Sequence, residues 1–271
     1  MDTRPIGVFD SGLGGLTAVQ SLHRILPEED LVYFGDTARV PYGGRSRETI
    51  LQYARQDVRF LCSFQPKALV VACGTISTTS LDILQRENDV PFVGVVEPAC
   101  ARALAVTREK RIGLIATLAS VRSGAYGAAL RRLDGAVEVY AQPCPLFVPL
   151  VENGRFRPGD IVIETVAREY LAPLVESGMD TLILGCTHYP LLSDVIGNIC
   201  GPSVEMVSAG EESAFALKRL LKAEGLRNAP GHKGETRFYV SDRAEDFEQI
   251  ASVFLQENIS HTARRVDIEQ Y

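Results

Sequence analysis

The stretch LILGCTHYPLL, residues 182–192, places a cysteine just after an apolar run and a histidine two positions further on. The leading apolar residues predict a short buried strand, and Tyr189-Pro190 predicts the start of the next element. Cys186 should therefore lie in the turn between the two. A second stretch, VVACGTISTTS at residues 70–80, ends another apolar run in Cys73 and continues with small polar residues. Two cysteines in equivalent settings indicate a paired site.

Similar apolar runs recur along the chain, as is typical of strands buried on both faces of a sheet. They are IGVF (6–9), LVYFGD (31–36), ALVVAC (68–73), FVGVV (92–96), RIGLIAT (111–117), VEVYAQP (137–143), TLILGC (181–186), VEMVSAG (204–210) and TRFYVSD (236–242). The segments between them favour helices. Residues 77–88 predict one helix, and Ser46, Ser120 and Asp160 are predicted helix-entry residues. This alternation predicts an α/β fold with mainly parallel sheets flanked by helices.

The chain length predicts more than one domain. With 271 residues, the chain can form two domains, each of about 130 residues and with its own hydrophobic core. We expect residues 1–97 and 209–271 to form the first domain together, and residues 98–208 to form the second. Pro98 and a turn at Ala209-Gly210 are the predicted points at which the chain crosses between them.

Composition argues against several classes of partner. The net charge of −6 and the scattered Lys and Arg residues give no general attraction to nucleic acid or anionic lipid. The N-terminus enters a strand pattern without a basic leader, and no apolar stretch approaches the roughly 18 residues of a membrane span. We therefore expect a cytoplasmic protein with neither a nucleic acid nor a membrane partner. The six cysteines lack CxxC spacing and should be free thiols.

The first strand also ends in polar and glycine residues, in IGVFDSGLGGL at residues 6–16. In open α/β sheets, ligands bind beyond the carboxyl ends of strands, and Asp10 lies at such an end. Gly12, Gly14 and Gly15 could form a dinucleotide-binding loop. However, the spacing breaks the G-x-G-x-x-G pattern at Thr17, and no ribose-binding acid follows at the expected distance. The loop therefore argues against a nicotinamide or flavin cofactor.

Four interpretations of Cys73 and Cys186 stay open from the residues alone. Each cysteine could be a small core residue, because free cysteine is among the most buried residue types. Cys186 and His188 could join Cys73 as metal ligands, although Cys73 lacks a neighbouring ligand. Cys186 and His188 could be a nucleophilic pair, which leaves Cys73 without a role. Two thiols on opposite walls of a cleft could also invert a carbon centre, one removing a proton and the other delivering one.

For the fourth interpretation, a helix N-terminus or a nearby charge would lower a thiol pKa, so that one group is a thiolate and the other a thiol near neutral pH. The turns that follow the two apolar runs would supply such helix N-termini.

Several motifs together resemble the glutamate racemases of the aspartate/glutamate racemase superfamily. They are VFDSGLGGLTAV (8–19), FGDTARVPYGGRS (34–46), Cys73 with Thr75, GVVEPA (94–99), PLVENG (149–154) and GCTHYP (185–190), in the expected order over nearly the whole chain. The resemblance implies two pseudo-symmetric α/β domains with the active site in the cleft between them. It also implies no pyridoxal phosphate or other cofactor, no metal, a homodimer, and supply of D-glutamate to peptidoglycan synthesis.

The resemblance assigns roles to matching positions. Cys73 and Cys186 would be the two acid/base groups, with Asp10 beside the first and His188 beside the second. Glu152 would be an acid behind His188. Asp10 and His188 would also contact glutamate, whose charged ends would be held mainly by backbone N–H groups and hydroxyls of Ser11, Tyr42, Gly43, Gly74, Thr75, Thr117, Ser120 and Thr187.

One position departs from the family pattern, which commonly reads Cys-Asn-Thr where this chain has Cys73-Gly74-Thr75. If the missing amide is what the site lacks, Gly74→Asn should lower the Michaelis constant for glutamate. An aspartate or other amino-acid racemase on the same fold stays an alternative. From a different class, the chain could be a non-catalytic protein that binds DNA gyrase, as members of the family do. Activation by a peptidoglycan precursor accompanies extra N-terminal sequence in the family, so we expect constitutive activity here.

Overall fold

The computed structural model describes residues 1–255, 259 and 262–271, and it confirms the predicted α/β fold. Two sheets, each with all its strand pairs parallel, are flanked by helices. The larger sheet has the strand order β10-β9-β2-β1-β3-β4, and the smaller has the order β6-β5-β7-β8. The strands of the larger sheet come from residues 6–93 and 236–265, and those of the smaller sheet from residues 111–208. The domain bounds at 97 and 209 stay a prediction.

The strands are β1 (Ile6–Asp10), β2 (Leu31–Gly35), β3 (Ala68–Val71), β4 (Phe92–Val93), β5 (Arg111–Ala116), β6 (Glu138–Pro143), β7 (Thr181–Leu184), β8 (Glu205–Ser208), β9 (Thr236–Val240) and β10 (Ala263–Arg265). The helices are α1 (Leu16–Ile25), α2 (Arg47–Cys62), α3 (Gly74–Thr79), α4 (Leu81–Glu87), α5 (Val96–Val106), α6 (Leu118–Ser123), α7 (Ala125–Leu133), α8 (Phe147–Glu152), α9 (Ile161–Glu176), α10 (Ser193–Cys200), α11 (Ala209–Ala223) and α12 (Ala244–Leu255). Short 3-10 helices cover Tyr189–Leu192 and Ile268–Gln270.

The inner strands are buried on both faces, which explains their continuous apolar runs. Every residue of β1, β2, β3 and β7 is buried, whereas β6 lies at an edge of the smaller sheet and is partly exposed. The carboxyl ends of β1 and β3 lie side by side in register, as do those of β5 and β7. Because contacts join the turns after β1 and β3 to the turns after β5 and β7, the site lies between these edges.

The helix starts confirm the predicted helix-entry residues and correct one predicted turn. Ser46 and Asp160 cap α2 and α9 as predicted, each accepting a hydrogen bond from a first-turn N–H. Ser120, predicted as a cap or first-turn residue, lies in the first turn of α6, and Thr117 caps that helix by accepting from the N–H of Ser120. Ala209 and Gly210 are not a turn but the first residues of α11.

Two predicted segments and one unpredicted strand also differ from expectation. The predicted helix 77–88 is two helices, and the first of them, α3, begins directly after Cys73. The strand predicted from FVGVV ends at Val93, because α5 starts at Val96. Strand β10 was not predicted, since its sequence Ala-Arg-Arg carries no apolar run. In the part of the chain described, no helix is both long and apolar enough to span a membrane.

A buried ion pair lies at the opposite end of the larger sheet from the site. Nζ of Lys67 is 2.5 Å from Oε2 of Glu29, and both side chains are fully buried. The ammonium also donates to the carbonyl of Asp2, and the N–H of Asn228 donates to Oε1 of Glu29. The pair therefore ties the N-terminus and the 227–235 segment to the sheet.

We expect Lys67→Met to lower the free energy of unfolding by about 3–5 kcal/mol, because it leaves the Glu29 carboxylate buried without its cation. Urea denaturation of the variant and its parent would measure the loss. The double variant Lys67→Met/Glu29→Gln should recover part of it, since the remaining charge is removed as well. A loss below about 1 kcal/mol in the single variant would contradict a buried, fully desolvated pair.

Candidate active site

The first thiol lies where β3 gives way to α3. Cys73 is the N-cap residue of that helix, with an extended backbone (φ −65°, ψ 118°), and its side chain is buried. Its Sγ lies 3.5 Å from Oγ of Ser11, which follows β1. Strand pairing between β1 and β3 thus brings Cys73 and the Asp10-Ser11 turn together, as the sequence predicted.

The ionisation of Cys73 is governed by its burial. Burial and the neighbouring Asp10 carboxylate raise the pKa of the Cys73 thiol to about 12. Hydrogen bonds from Ser11 and from the N–H of Ile76 favour the thiolate but do not compensate. Desolvation therefore outweighs the helix N-terminus at this residue, and Cys73 is a thiol at neutral pH, as one member of the pair was expected to be.

The second thiol belongs to a chain of three side chains in the smaller sheet. Cys186 follows β7 and is buried, with Sγ 3.9 Å from Nδ1 of His188. The other ring nitrogen, Nε2, lies 3.0 Å from Oε1 of Glu152 at the end of α8. The thiol proton can therefore pass to or from the imidazole, while the carboxylate fixes the orientation of the ring.

The His188 ring is set up to carry a positive charge. Burial alone would disfavour the imidazolium, but hydrogen bonds with Cys186 and Glu152 outweigh it and raise the pKa of His188 to about 10. Both partners also favour the imidazolium by their charge. At neutral pH the cation therefore lies beside Cys186.

This raised pKa predicts a pH-dependent contribution to stability. The folded-state pKa of His188, about 10, lies above its ordinary value of 6.5. The stabilisation is therefore fully present below about pH 6.5 and is lost as the pH rises through about 10. We expect Glu152→Gln to be less stable than the parent near pH 6–7 and equally stable above about pH 10, measured by urea unfolding across this range.

The matched control is Glu138→Gln, which removes a surface carboxylate paired with Arg111. Its effect on stability should stay small over the same pH range. A Glu152→Gln effect that does not change with pH would contradict the His188 pairing.

Asp10 connects the two halves of the site. Its carboxylate is fully buried at the end of β1 and accepts from the N–H of Gly12 at 3.0 Å. Thr187, between the second thiol and His188, lies with its hydroxyl 3.4 Å from Oδ1 of Asp10. Burial raises the pKa of Asp10, while the nearby His188 charge and backbone N–H groups oppose the shift.

Hydroxyl groups from both sheets meet on the other side of the cleft. Oγ1 of Thr75, in the first turn of α3, is 3.0 Å from Oγ1 of Thr117, the cap of α6. The Thr117 hydroxyl also contacts Oγ of Ser120, which accepts from Thr78 at 3.2 Å. The structure therefore brings together Thr75, Thr117 and Ser120, which the sequence had placed on separate segments.

Tyr42 and Gly43 were both expected to bind substrate, but their contacts in the structure differ. The backbone carbonyl of Gly43 accepts from the N–H of Ala119 at 3.2 Å, so this loop reaches the hydroxyl groups at the start of α6. The Tyr42 hydroxyl, in contrast, donates to the buried carboxylate of Asp36. Arg39 holds the same carboxylate at 2.7 Å. The Tyr42 side chain is thus tied to the end of β2 in the larger sheet.

Gly74 lies where the two thiol-bearing turns touch. A Cβ atom at this position would come closer than 3.0 Å to the carbonyl oxygen of Gly185 and to 3.9 Å from Cα of Cys186. Backbone cannot give way like the end of a flexible side chain. This contact argues against the expectation that Gly74→Asn improves substrate binding, because the added side chain has to displace the Gly185 backbone.

Among the described residues, no group of three or more His, Cys, Asp or Glu side chains could hold a metal ion, so Cys73, Cys186 and His188 do not form the metal site considered above. The six cysteines are free thiols, as predicted.

The sequence analysis missed four residues that contact the site. Asp36 and Thr78 hold the Tyr42 loop and Ser120, while Gly14 and Thr17 contact the turn at 187–188. Asp36 had a usable signal, because it directly follows β2, much as Asp10 ends β1. Thr17 and Thr78 lie within the helices that follow site loops, where periodicity alone does not distinguish them from core positions.

Comparison with known proteins gives a consistent result. The sequence matches the family described as Asp/Glu/Hydantoin racemase over residues 6–214. The glutamate racemase of Geobacter metallireducens is 45% identical over 255 residues, which cover 94% of this chain and 94% of that protein.

Solved structures agree with the sequence relatives. The crystal structure of a glutamate racemase from Bacillus anthracis has a TM-score of 0.93 and 38% identity, covering 98% of each chain. The glutamate racemase from Francisella tularensis, solved in complex with D-glutamate, has a TM-score of 0.91 and 38% identity over all of both chains. The likeness therefore extends over both sheets and the cleft between them.

Proposed function

Because the chain belongs to the Asp/Glu/hydantoin racemase family and is a glutamate racemase, we propose that Cys73 and Cys186 move the α-proton of glutamate from opposite faces of the carbon. The observation that carries this proposal is the placement of the thiols. Each follows a central strand of a different sheet, and the two turns meet at Gly74 and Gly185. An α-carbon bound between the two thiols would have one of them on each face.

In the L-to-D direction, the Cys186 thiolate takes the α-proton and becomes a thiol. The electron pair of the broken C–H bond stays on the substrate as a carbanion, and the Cys73 thiol delivers its proton to the other face, leaving a thiolate. In the reverse direction Cys73 takes the proton and Cys186 delivers one. A Cys73 pKa of about 12 suits the donor role in the first direction, because the thiol is fully protonated at neutral pH.

Neighbouring groups divide between the two thiols. His188, held by Glu152, exchanges a proton with Cys186, and Asp10 with Ser11 serves Cys73. Buried groups of this kind are fixed before the substrate arrives, so little reorganisation is needed during proton transfer.

The charged ends of glutamate are bound by the hydroxyl groups and free N–H groups around the cleft. We assign this role to Ser11, Thr75, Thr117, Ser120 and Thr187, to the backbone of the Tyr42-Gly43 loop and Gly74, and to Asp10 and His188. Hydroxyls can donate to carboxylate oxygens or accept from the ammonium group, which suits a zwitterionic substrate. The meeting of Thr75 with Thr117 across the cleft supports this assignment, because one substrate group can contact both.

We place the enzyme in the cytoplasm as a homodimer that supplies D-glutamate to peptidoglycan synthesis, with neither nucleic acid nor membrane as a partner. The resemblance to glutamate racemases supports this role. Size-exclusion chromatography with light scattering tests the oligomeric state directly, and a monomer at micromolar concentration would contradict the homodimer.

The activity itself is tested by circular dichroism of purified protein incubated with L- or D-glutamate. We expect both enantiomers to approach the same racemic endpoint, with turnover unchanged after dialysis against a chelator and without added pyridoxal phosphate. L- and D-aspartate serve as the matched substrate pair, one methylene shorter. Faster turnover of aspartate would identify an aspartate racemase instead, and activity that only added metal restores would contradict a cofactor-independent mechanism.

A further inference from the structure

The glycines of the loop after β1 have no role in the chemistry described so far. Gly14 lies against the turn that carries the second thiol. A Cβ atom at Gly14 would come closer than 3.0 Å to Oγ1 of Thr187 and to both Nδ1 and Cε1 of His188. Real Cβ atoms essentially never make such contacts, so only glycine allows the ring and the hydroxyl to lie where they do.

The contact is held in place by the helix that follows the loop. Oγ1 of Thr17, in the first turn of α1, lies 2.9 Å from the carbonyl oxygen of Thr187 and 3.0 Å from that of Gly14. One buried hydroxyl therefore bridges the loop of the larger sheet and the turn of the smaller sheet. This fixes the distance at which Gly14 meets His188.

The His188 ring is thus enclosed from several elements. Nδ1 faces Cys186, Nε2 faces Glu152 of α8, and the ring of Phe254 on α12 packs edge-on with ring centroids 6.0 Å apart. The charge of Asp10 also acts on the ring from the end of β1. Gly14 contacts the ring on its Nδ1 side. A small displacement of the ring there changes the distance from Nδ1 of His188 to Sγ of Cys186.

We infer that Gly14 is a positioning residue for His188, holding Nδ1 of the imidazole against the Cys186 thiol by the closeness of its backbone. The inference rests on the proposed function in that Cys186 is taken as an acid/base group.

The same loop serves the other thiol through a different glycine. A Cβ at Gly15 would lie 2.5 Å from Cβ of Asp10, so Gly15 backs the group beside Cys73.

The test combines turnover with a direct readout of the His188 ring. Gly14→Ala should lower kcat/KM for glutamate by about 100-fold, the scale expected for a misplacement of about 1 Å. NMR of histidine-labelled protein follows the titration of His188, whose signal is identified by its loss in His188→Asn. In Gly14→Ala the titration should move from about pH 10 toward the ordinary value of 6.5, because the hydrogen bond with Cys186 is lost.

Neighbouring variants separate positioning from general damage. Gly135→Ala, where a Cβ meets nothing within 4 Å and which lies outside the site, should keep the activity and the titration of the parent. Gly15→Ala should lower turnover with a smaller change in the His188 titration than Gly14→Ala, because it displaces Asp10 but leaves the hydrogen bond between His188 and Cys186 in place. If Gly14→Ala does not fold, Thr17→Val tests the same contact, with a loss of about 10-fold that Thr17→Ser should restore.

An unchanged His188 titration in a folded Gly14→Ala or Thr17→Val variant would overturn the inference, as would a shifted titration with full activity. If the parent protein does not racemise glutamate, the proposed function fails, and the titration still decides whether Gly14 positions the ring.

Discussion

Racemisation of both glutamate enantiomers is expected to disappear when either Cys73 or Cys186 is replaced by alanine. Each direction of the reaction uses both thiols, one to remove the α-proton and one to deliver its replacement. Loss of a single acid/base group lowers rates by about 10²–10⁴-fold. Circular dichroism of L- and D-glutamate incubated with each variant measures the effect.

The two variants should differ in the half-reaction that survives. In deuterated water, Cys73→Ala retains Cys186 and should slowly exchange the α-proton of L-glutamate, whereas Cys186→Ala should do so only with D-glutamate. Because the equilibrium constant between enantiomers is one, kcat/KM must be equal in the two directions for any variant. The asymmetry is therefore sought in proton exchange, followed by NMR, and not in the ratio of specificity constants.

Cys62→Ala is the matched control, since Cys62 is a half-buried thiol at the end of α2 and should leave turnover unchanged. Near-parental racemisation by Cys73→Ala would contradict the two-thiol mechanism. It would leave Cys186 and His188 as a single nucleophilic pair, with Cys73 as a core residue.

The fold and the two thiols could be predicted because they depend on local pattern. Strands buried on both faces give apolar runs, and the carboxyl ends of parallel strands are where ligand groups collect. Cys73 and Cys186 follow such runs, so their turns could be located before any distance was known. Strand β10 could not, because two of its three residues are arginines at a sheet edge.

The electrostatics of the site could not be predicted in the same way. The direction of the Cys73 pKa shift depends on how far the sulfur is buried and on its distance to Asp10. Neither quantity can be derived from the sequence alone. The helix start at Cys73 favours the thiolate, but burial outweighs this effect and raises the pKa. The Glu152–His188 contact was expected from the resemblance, but its effect on His188 required the geometry.

Gly74 shows the same limit for packing. Comparison of motifs indicates that Gly74 lacks the amide side chain common in the family. The structure indicates instead that the backbones at Gly74 and Gly185 pack too closely for a side chain at position 74. Residue type alone cannot distinguish these cases, because the atom that excludes a side chain is a carbonyl oxygen from Gly185 in the other sheet. The motif comparison therefore predicts that Gly74→Asn improves glutamate binding, whereas the packing predicts that it impairs the enzyme.

Gly74→Asn is therefore expected to lower kcat/KM for glutamate by about 100-fold or more, not to improve binding. The new Cβ would overlap the Gly185 carbonyl, so the turns that carry Cys73 and Cys186 must move apart. Both thiols act on one carbon atom, and a shift of about 1 Å takes at least one of them out of reach for proton transfer. The hydrogen bond that the amide could offer, about 1.5–3 kcal/mol, does not offset a separation of the two reacting groups.

Three variants assign the cause of that loss. Gly74→Ala adds only the Cβ and should lose nearly as much activity as Gly74→Asn, because the overlap begins at that atom. Gly44→Asn adds the same side chain where a Cβ meets nothing within 4 Å, and should keep parental kinetics. If Gly74→Ala is impaired but Gly74→Asn is not, the amide makes a compensating contact and the pocket accepts the wider spacing. A lower Michaelis constant in Gly74→Asn with undiminished kcat would show that the Gly185 backbone yields, and that the thiol spacing does not depend on glycine at this position.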